Sequence, residues 1–237
     1  MRLSAYCYTN RGGRDHNEDS VRCCAEQGAF VLADGLGGHG RGEVASALAA
    51  DVLLKGCAAR PGPDELMELF QKANEAVIAG QKVPSQEEMK TTAVALAIDG
   101  DRAVWGHMGD SRLYRFSGGV LAQETRDHSV TYMKYLGGEI SYMDVYHDDD
   151  RSSLLRALGK MPCKPEAGQA RLRQGDAFLL CSDGFWEYVY QEEMLADLLK
   201  AETPKQWAEG MLLRHIRRTP PGNDNFSLIT VFAEEEL

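Results

Sequence analysis

Short apolar runs alternate along the chain with longer segments whose apolar residues recur every three or four positions. The short runs predict strands at residues 2–9, 28–33, 91–99, 102–110, 112–116, 120–125, 169–175, 176–183 and 225–233. The longer segments predict helices at residues 42–60, 64–80, 191–201 and 204–218. Glycine turns at residues 100–101 and 117–119 separate strands that should pair as antiparallel hairpins.

The order of these elements indicates the fold class. Helices come in pairs between blocks of strands, without strict alternation, which favours an α+β layered fold with two sheets faced by helices. With 237 residues, 43% of them hydrophobic, the chain is expected to form one domain over residues 1–237. Residues 128–150 are less regular and run into the acidic stretch YHDDDR, so we expect a mobile excursion there.

Composition limits the classes of partner. A formal charge of −10, from 26 Lys+Arg and 36 Asp+Glu, argues against binding to nucleic acid or to an anionic membrane. Neither a membrane-spanning stretch nor the apolar core of a signal peptide is visible, so a cytoplasmic protein is expected. The cysteines lack CxxC or disulfide-framework spacing, and we expect reduced thiols at Cys7, Cys23, Cys24, Cys57, Cys163 and Cys181.

Acidic residues stand at the ends of four predicted core strands, namely Asp34, Asp110, Asp183 and Asp224. Each alone is typical of a turn or a helix N-cap. Together they would repel one another at a sheet edge unless cations neutralised them. Oxygen ligands favour Mg²⁺ or Mn²⁺, since no zinc motif is present, and Gly35 could bring its carbonyl close to a metal. Two such ions about 4 Å apart can ionise a bridging water and hold a phosphoryl group.

The stretch RGGRDHNEDS could complete such a site. Glu18 and Asp19 offer further acceptors, and Arg14 offers a planar fork for phosphate oxygens, although an exposed polar turn would look the same. An EF-hand is disfavoured because Ser20 stands where that loop needs glycine.

The motifs together resemble a known family. In order, RDHNED, ADGLGGHGRGEVAS, TTAVALAI, GHMGDSRLYRF, TRDHS, LLRALG, LLCSDGFWEYV and DNFSLITV span residues 11–232 and are similar to the successive motifs of metal-dependent protein phosphatases of the protein phosphatase 2C type, in particular the bacterial stand-alone enzymes. The resemblance implies a four-layer α-β-β-α sandwich of two antiparallel sheets flanked by helix pairs. It also implies hydrolysis of phosphoserine and phosphothreonine by a water activated at a two-metal Mg²⁺/Mn²⁺ centre.

The resemblance assigns roles residue by residue. Asp34 matches the acid that bridges both metals, Gly35 the carbonyl ligand, and Asp183 and Asp224 the other direct ligands. Asp19 and Glu18 match the acids that hold metal-bound waters, and Asp110 matches the ligand of a third metal ion. Arg14 matches the arginine that binds the phosphate, and residues 128–150 match the flap beside the active site. Leu36 replaces a histidine that some members place after the first Asp-Gly, so a water or His39 would protonate the leaving group.

Other functions are weighed against this interpretation. A cysteine phosphatase is excluded because no Cys-x5-Arg is present, and the chain has neither an aspartyl-phosphate DxD motif at Asp34 nor a P-loop. Two alternatives stay open: a non-catalytic regulatory or binding relative, and a phosphatase dedicated to one anti-sigma-antagonist phosphoprotein. We expect a monomer that acts on phosphoproteins, including those of a serine/threonine kinase. His107, His128 and His215 are interpreted as packed or surface residues rather than catalytic ones.

Overall fold

The computed structural model describes residues 1–37 and 41–235. Its strands are β1 (Arg2–Asn10), β2 (Asp19–Cys24), β3 (Ala29–Leu36), β4 (Lys90–Thr91), β5 (Ala93–Asp99), β6 (Arg102–Met108), β7 (Arg112–Ser117), β8 (Val120–Glu124), β9 (Glu166–Arg171), β10 (Ala177–Cys181) and β11 (Phe226–Glu234). Its helices are α1 (Gly42–Cys57), α2 (Pro63–Gly80), α3 (Val130–Leu136), α4 (Asp183–Trp186), α5 (Gln191–Leu198) and α6 (Pro204–Arg218). None of the helices in these two ranges combines the length and the apolar character needed to cross a membrane.

The strands form two antiparallel sheets. Sheet 1 has the order β1-β11-β10-β7-β8, and sheet 2 has the order β2-β3-β5-β6-β9, with β4 paired to β3. The predicted hairpins are confirmed, since β5 pairs with β6 and β7 pairs with β8. Between β6 and β7 the chain crosses from sheet 2 to sheet 1, so Asp110 lies in a connection between the sheets.

Successive side chains along each strand point to opposite faces of the sheet, and both faces are apolar. On β3, Ala29, Val31 and Ala33 pack with the buried faces of α1 and α2, whereas Phe30 and Leu32 pack with side chains from sheet 1. The outer face of sheet 1 packs in turn against residues of α5 and α6. Three apolar layers thus lie between four layers of secondary structure: a helix pair, sheet 2, sheet 1 and a second helix pair. This arrangement confirms the predicted α-β-β-α sandwich.

Some boundaries differ from the sequence-based prediction. Helix α1 ends at Cys57 instead of residue 60, because Arg60 has a φ of 61° and precedes Pro61, which disfavours helix. Strand β9 begins at Glu166 and ends at Arg171, earlier than predicted. The elements β2, β4, α3 and α4 were not predicted. Residues 128–150 contain α3, whose N-terminus is capped by Ser129 Oγ accepting from the Tyr132 amide.

The prediction of six reduced cysteines is wrong for two of them. Cys7 on β1 and Cys23 on β2 form a disulfide, whereas Cys24, Cys57, Cys163 and Cys181 are free thiols. Strands β1 and β2 are edge strands of different sheets that lie side by side. The spacing of the two cysteines along the chain gives no sign of this proximity.

Candidate metal centre

The predicted acids meet at one end of the sandwich. Asp19 on β2 lies opposite Asp34 on β3 in the strand register of sheet 2. From sheet 1, Asp183 follows β10 closely and Asp224 stands just before β11, while Asp110 occupies the crossover. These carboxylates lie close enough to raise one another's pKa values.

Asp34 is fixed through its backbone. Its carbonyl accepts from the Thr92 amide at 2.8 Å and from Thr91 Oγ1 at 2.7 Å, and its own amide donates to Thr92 Oγ1 at 3.2 Å. The end of β3 is thus held against Thr91 of β4 and against Thr92, which precedes β5, so the backbone that carries the Asp34 carboxylate is fixed.

Asp19 is held by two serines of sheet 1. Its Oδ2 atom accepts from Ser182 Oγ at 3.0 Å and from Ser227 Oγ at 2.6 Å. Burial raises the pKa of Asp19 to about 7; the serine hydrogen bonds oppose the rise, and Asp183 and Asp224 add to it. The other oxygen, Oδ1, is buried and has no partner among the described residues. A buried, unpartnered carboxylate oxygen is costly and is well suited to a metal ion or to a metal-bound water.

The remaining central acids resist ionisation in the same way. Burial raises the pKa of Asp34 well above its usual range, and Asp19, Asp183 and Asp110 raise it further. The pKa of Asp183 is raised by burial and then by the charge of Asp224. The pKa of Asp110 is raised by burial and then by the charges of Asp183 and Asp127. Since each pKa is raised by neighbouring carboxylates, positive charge placed among them would relieve the repulsion.

Gly35 lies where three chain segments meet. A Cβ atom there would come within 2.3 Å of the Gly42 carbonyl group and 2.6 Å of the Glu18 carbonyl oxygen. The Gly35 amide donates to that same Glu18 oxygen at 3.1 Å. Only glycine therefore fits, for a packing reason that is additional to the predicted approach of its carbonyl to a metal.

Glu18 faces the N-terminus of α1. Its pKa is raised by burial and by the charges of Glu43 and Asp224, while a hydrogen bond from the Gly42 amide and the charge of Arg14 lower it. The helix N-terminus thus stabilises the ionised carboxylate beside the other acids.

Arg14 also reaches the acidic end. Its Nε donates to Asp224 Oδ1 at 3.1 Å and its Nη2 donates to Asp224 Oδ2 at 2.9 Å. Both side chains are about half exposed, at 58% and 49%. The planar guanidinium that binds this carboxylate through two N–H donors has the geometry needed to bind a phosphate.

Asn225 organises the loop that carries Arg14 and Glu18, a role that sequence reasoning missed. Its Nδ2 donates to the carbonyls of Arg11 and His16 at 2.8 and 2.9 Å, and its Oδ1 accepts from the Glu18 amide at 2.8 Å. The residue stands in the motif DNFSLITV, but a single asparagine carries no pattern from which these contacts could be predicted.

Arg112 was also missed. It is fully buried and pairs with Asp127 through two hydrogen bonds of 2.8 and 2.6 Å. Its guanidinium carbon lies 3.5 Å from the centre of the Trp186 ring on α4. The Trp186 indole in turn donates to the Asp110 carbonyl at 2.9 Å. One buried cation thus connects the turn that holds Asp110, helix α4 and the start of the 128–150 segment.

The histidines lie outside this acidic group. His107, His128 and His215 are buried, which makes them packed rather than surface residues. His128 and His107 stack at 4.6 Å beside Glu166, and Arg156 lies 2.9 Å from the Glu166 carboxylate. The Arg156 guanidinium also lies 3.0 Å from His128 Nε2, so a cationic side chain already contacts both His128 and Glu166. His39, the candidate general acid, lies outside the described residues.

The residues present fit a divalent hard cation. All the acids offer oxygen atoms as metal ligands, and the Asp19 Oδ1 atom has no hydrogen-bond partner among the described residues. Among residues 1–37 and 41–235, Arg14 is the one cationic side chain paired with Asp224. Mg²⁺ and Mn²⁺ prefer such carboxylate and carbonyl oxygens.

Comparison with known proteins agrees with this geometry. Residues 9–212 match the family model described as Protein phosphatase 2C. The serine/threonine protein phosphatase PstP of Mycobacterium tuberculosis (strain H37Rv) is 36% identical over 189 residues, which cover 78% of this chain and 36% of PstP. The serine/threonine phosphatase stp of Listeria monocytogenes serovar 1/2a is 32% identical over 236 residues, which cover 94% of this chain and 93% of stp. The chain thus spans about a third of PstP and nearly all of stp.

Solved structures give the same result. The crystal structure of the M. tuberculosis phosphatase PstP/Ppp has a TM-score of 0.89 at 32% identity, with 99% of this chain and 100% of that chain covered. The PstP catalytic domain in complex with two manganese ions has a TM-score of 0.87 at 30% identity, with 98% and 99% covered. The chain belongs to the protein phosphatase 2C family.

Proposed function

We propose that this protein is a metal-dependent protein phosphatase that hydrolyses phosphoserine and phosphothreonine with a water activated at a two-metal centre. The observation that carries the proposal is the group of mutually repelling carboxylates contributed by both sheets, one of which, the buried Asp19, has an unpartnered oxygen. The related proteins PstP and stp are serine/threonine phosphatases by name.

Each acid has a proposed place in the centre. Asp34 would bind both ions, Gly35 would offer its carbonyl, and Asp183 and Asp224 would complete the direct ligands. Asp19 and Glu18 would hold metal-bound waters, and Asp110 would serve a third ion. When bound, Mg²⁺ or Mn²⁺ supplies a water nucleophile of lowered pKa and polarises the phosphoryl oxygens.

The protein's own groups orient this chemistry. Ser182 and Ser227 hold Asp19 in one orientation through its Oδ2 atom, so its unpartnered Oδ1 atom is left available for a metal-bound water. Arg14 would exchange its contact with Asp224 for the substrate phosphate, because both groups accept the same pair of parallel N–H donors. Leu36 replaces the histidine of some members, so a water or His39 would protonate the leaving serine or threonine oxygen.

Partners and organisation follow from the same proposal. Phosphoproteins would be the substrates, among them products of a serine/threonine kinase, and the chain would act as a monomeric single domain over residues 1–237. Residues 128–150 would form a flap beside the centre. We further propose a cytoplasmic location, in which Cys7 and Cys23 would be kept as reduced thiols, because disulfides are rare in a reducing cytosol. Cell fractionation with thiol alkylation would decide this point.

The test of the function is phosphate release from a phosphothreonine peptide, with Mn²⁺ and then with EDTA. We expect release that depends on the metal. Asp183→Asn should lose most turnover and bind Mn²⁺ more weakly in calorimetry, while its circular dichroism spectrum stays unchanged. Asp51→Asn is the matched control, since Asp51 is an exposed acid paired with Arg22. Release that persists in EDTA, or full activity of Asp183→Asn, would contradict the proposal.

A further inference from the structure

A groove of about 520 Å³ lies at the end of sheet 1 that is opposite the candidate metal centre. Ala177 at the start of β10 and Phe232 near the end of β11 line it, whereas Asp183 and Asp224 stand beyond the other ends of these strands. The nine residues of β11 span about 25–30 Å. A ligand in this distal groove would therefore leave the metal centre open.

Much of the distal groove is apolar. Phe116 of β7 lines it together with Ala177 and Phe232, and Leu198 and Leu199 at the C-terminal end of α5 contribute the helix side. Leu199 is 67% exposed, so the apolar surface continues to the rim. The volume lies within the range of about 300–1,000 Å³ that is typical of ligand sites. Such a surface favours contact with a large apolar side chain.

The charged lining of the distal groove is acidic. The acids that line it are Asp176, Glu202, Glu234 and Glu235, and the described residues of the lining include no lysine or arginine. Cations from outside the groove pair with two of them, Arg115 with Asp176 at 2.8 Å and Arg2 with Glu234 at 3.0 Å. Glu202 and Glu235 have no ion pair within residues 1–37 and 41–235. The groove therefore favours a ligand that carries positive charge.

Asp176 also has an unused acceptor. The residue is 1% exposed, and its Oδ2 atom accepts from Arg115 Nη2 at 2.8 Å and from the Arg173 amide at 3.1 Å. Its Oδ1 atom is buried and has no partner among the described residues. Since an unpartnered buried carboxylate oxygen is costly, the wall of the groove favours a ligand with N–H donors.

We propose that the distal groove is a docking site for an extended segment of a partner protein, in which a large apolar side chain is flanked by lysine or arginine. The apolar side chain would contact Phe232 and Leu199, and the cations would lie beside Glu202 and Glu235. A second copy of this chain is a poorer occupant, because its formal charge of −10 would bring like charge to an acidic groove. The docking site does not depend on the proposed phosphatase function, although a docked phosphoprotein would be held close to the metal centre.

The test measures the binding of three unphosphorylated, fluorescein-labelled peptides by fluorescence anisotropy in EDTA. Their central residues are Arg-Phe-Arg, Arg-Ser-Arg and Glu-Phe-Glu, each between glycines. Wild-type protein should bind the Arg-Phe-Arg peptide at least about tenfold more tightly than either of the other two, because it alone matches both the apolar walls and the acidic lining.

Two variants at exposed positions locate the binding. Glu202→Lys should weaken binding of the Arg-Phe-Arg peptide about threefold and tighten that of the Glu-Phe-Glu peptide by a similar factor, because it reverses a charge on the rim. Leu199→Ser should weaken both phenylalanine peptides about threefold to fivefold. The matched controls are Glu75→Lys on α2, which packs on sheet 2, and Leu213→Ser on α6, where Leu213 is 59% exposed. Each control should keep Kd within about twofold of the wild type.

Equal affinity for the three peptides, a Kd above about 1 mM for the Arg-Phe-Arg peptide, or groove variants that behave like the controls would each overturn the inference. Sedimentation velocity tests the other occupant. A dimer that forms at high concentration and is lost in Leu199→Ser would assign the groove to a second copy of the chain and would also overturn it. Since binding is measured without metal or phosphate, its failure leaves the proposed phosphatase function standing, and failed hydrolysis leaves the docking site standing.

Discussion

The buried Arg112–Asp127 pair allows a quantitative prediction about stability. The two side chains are 0% and 1% exposed and are joined by two hydrogen bonds. In Arg112→Met the Asp127 charge would remain buried without its partner, which costs about 3–5 kcal/mol. Loss of the guanidinium contact with the Trp186 ring, at 3.5 Å, adds roughly 1–2 kcal/mol. For a chain of this size, these losses should lower the melting temperature by roughly 10 °C or more.

Urea and thermal unfolding in EDTA would measure the effect without contributions from metal binding. The double variant Arg112→Met/Asp127→Asn removes both charges, so it should recover about 1–3 kcal/mol relative to Arg112→Met alone. Arg171→Met is the exposed counterpart and should cost less than about 1 kcal/mol.

Two outcomes would refute this reasoning. If Arg112→Met lies within about 1 kcal/mol of the wild type, the buried Asp127 charge must find other partners or become hydrated. If the double variant is no more stable than Arg112→Met, the destabilisation comes from lost packing of the arginine side chain rather than from an unpaired charge.

Three further predictions concern the acidic end. Arg14→Ala should raise KM for phosphopeptides more than it lowers kcat, because the residue grips phosphate; steady-state kinetics with an unchanged KM would contradict that role. Gly35→Ala would place a Cβ atom 2.3 Å from the Gly42 carbonyl group and should destabilise the protein by more than about 2 kcal/mol in thermal unfolding, so a variant as stable as the wild type would show that the loop can shift. Ser227→Ala removes one donor from Asp19 and should weaken Mn²⁺ binding about tenfold in calorimetry, and an unchanged affinity would assign Ser227 to packing alone.

The sequence predicts best those features that rest on local patterns. The apolar run that ends at Asp34 gives both a core strand and the acid at its end, and glycine turns identify the two hairpins. The run at residues 93–98 reads as one apolar stretch because both of its faces are buried, its alanines under the helices and its larger side chains between the sheets. Such signals are local, so they can be recognised without knowledge of the tertiary structure.

The features that were missed depend on contacts between distant segments. Strand β2 is a half-polar edge strand, and its partner β3 is recognisable only from the tertiary arrangement. Ser182 and Ser227 hold Asp19 from the other sheet across more than 160 positions of sequence, and a serine carries no pattern that reveals such a role. The disulfide was missed for the same reason, since its two cysteines lie on neighbouring edges of different sheets.

The placement of the acids links metal binding to the stability of the sandwich. Asp19 and Asp34 come from sheet 2, whereas Asp183 and Asp224 come from sheet 1, so their repulsion acts across the seam between the sheets. An ion bound by acids of both sheets would replace that repulsion with attraction across the same seam. Since such an ion binds the folded chain much better than the unfolded one, Mn²⁺ at a hundred times its dissociation constant should stabilise the protein by about 2.7 kcal/mol. The gain should shrink in Asp183→Asn, and a gain of equal size in that variant would place the bound ion away from the seam.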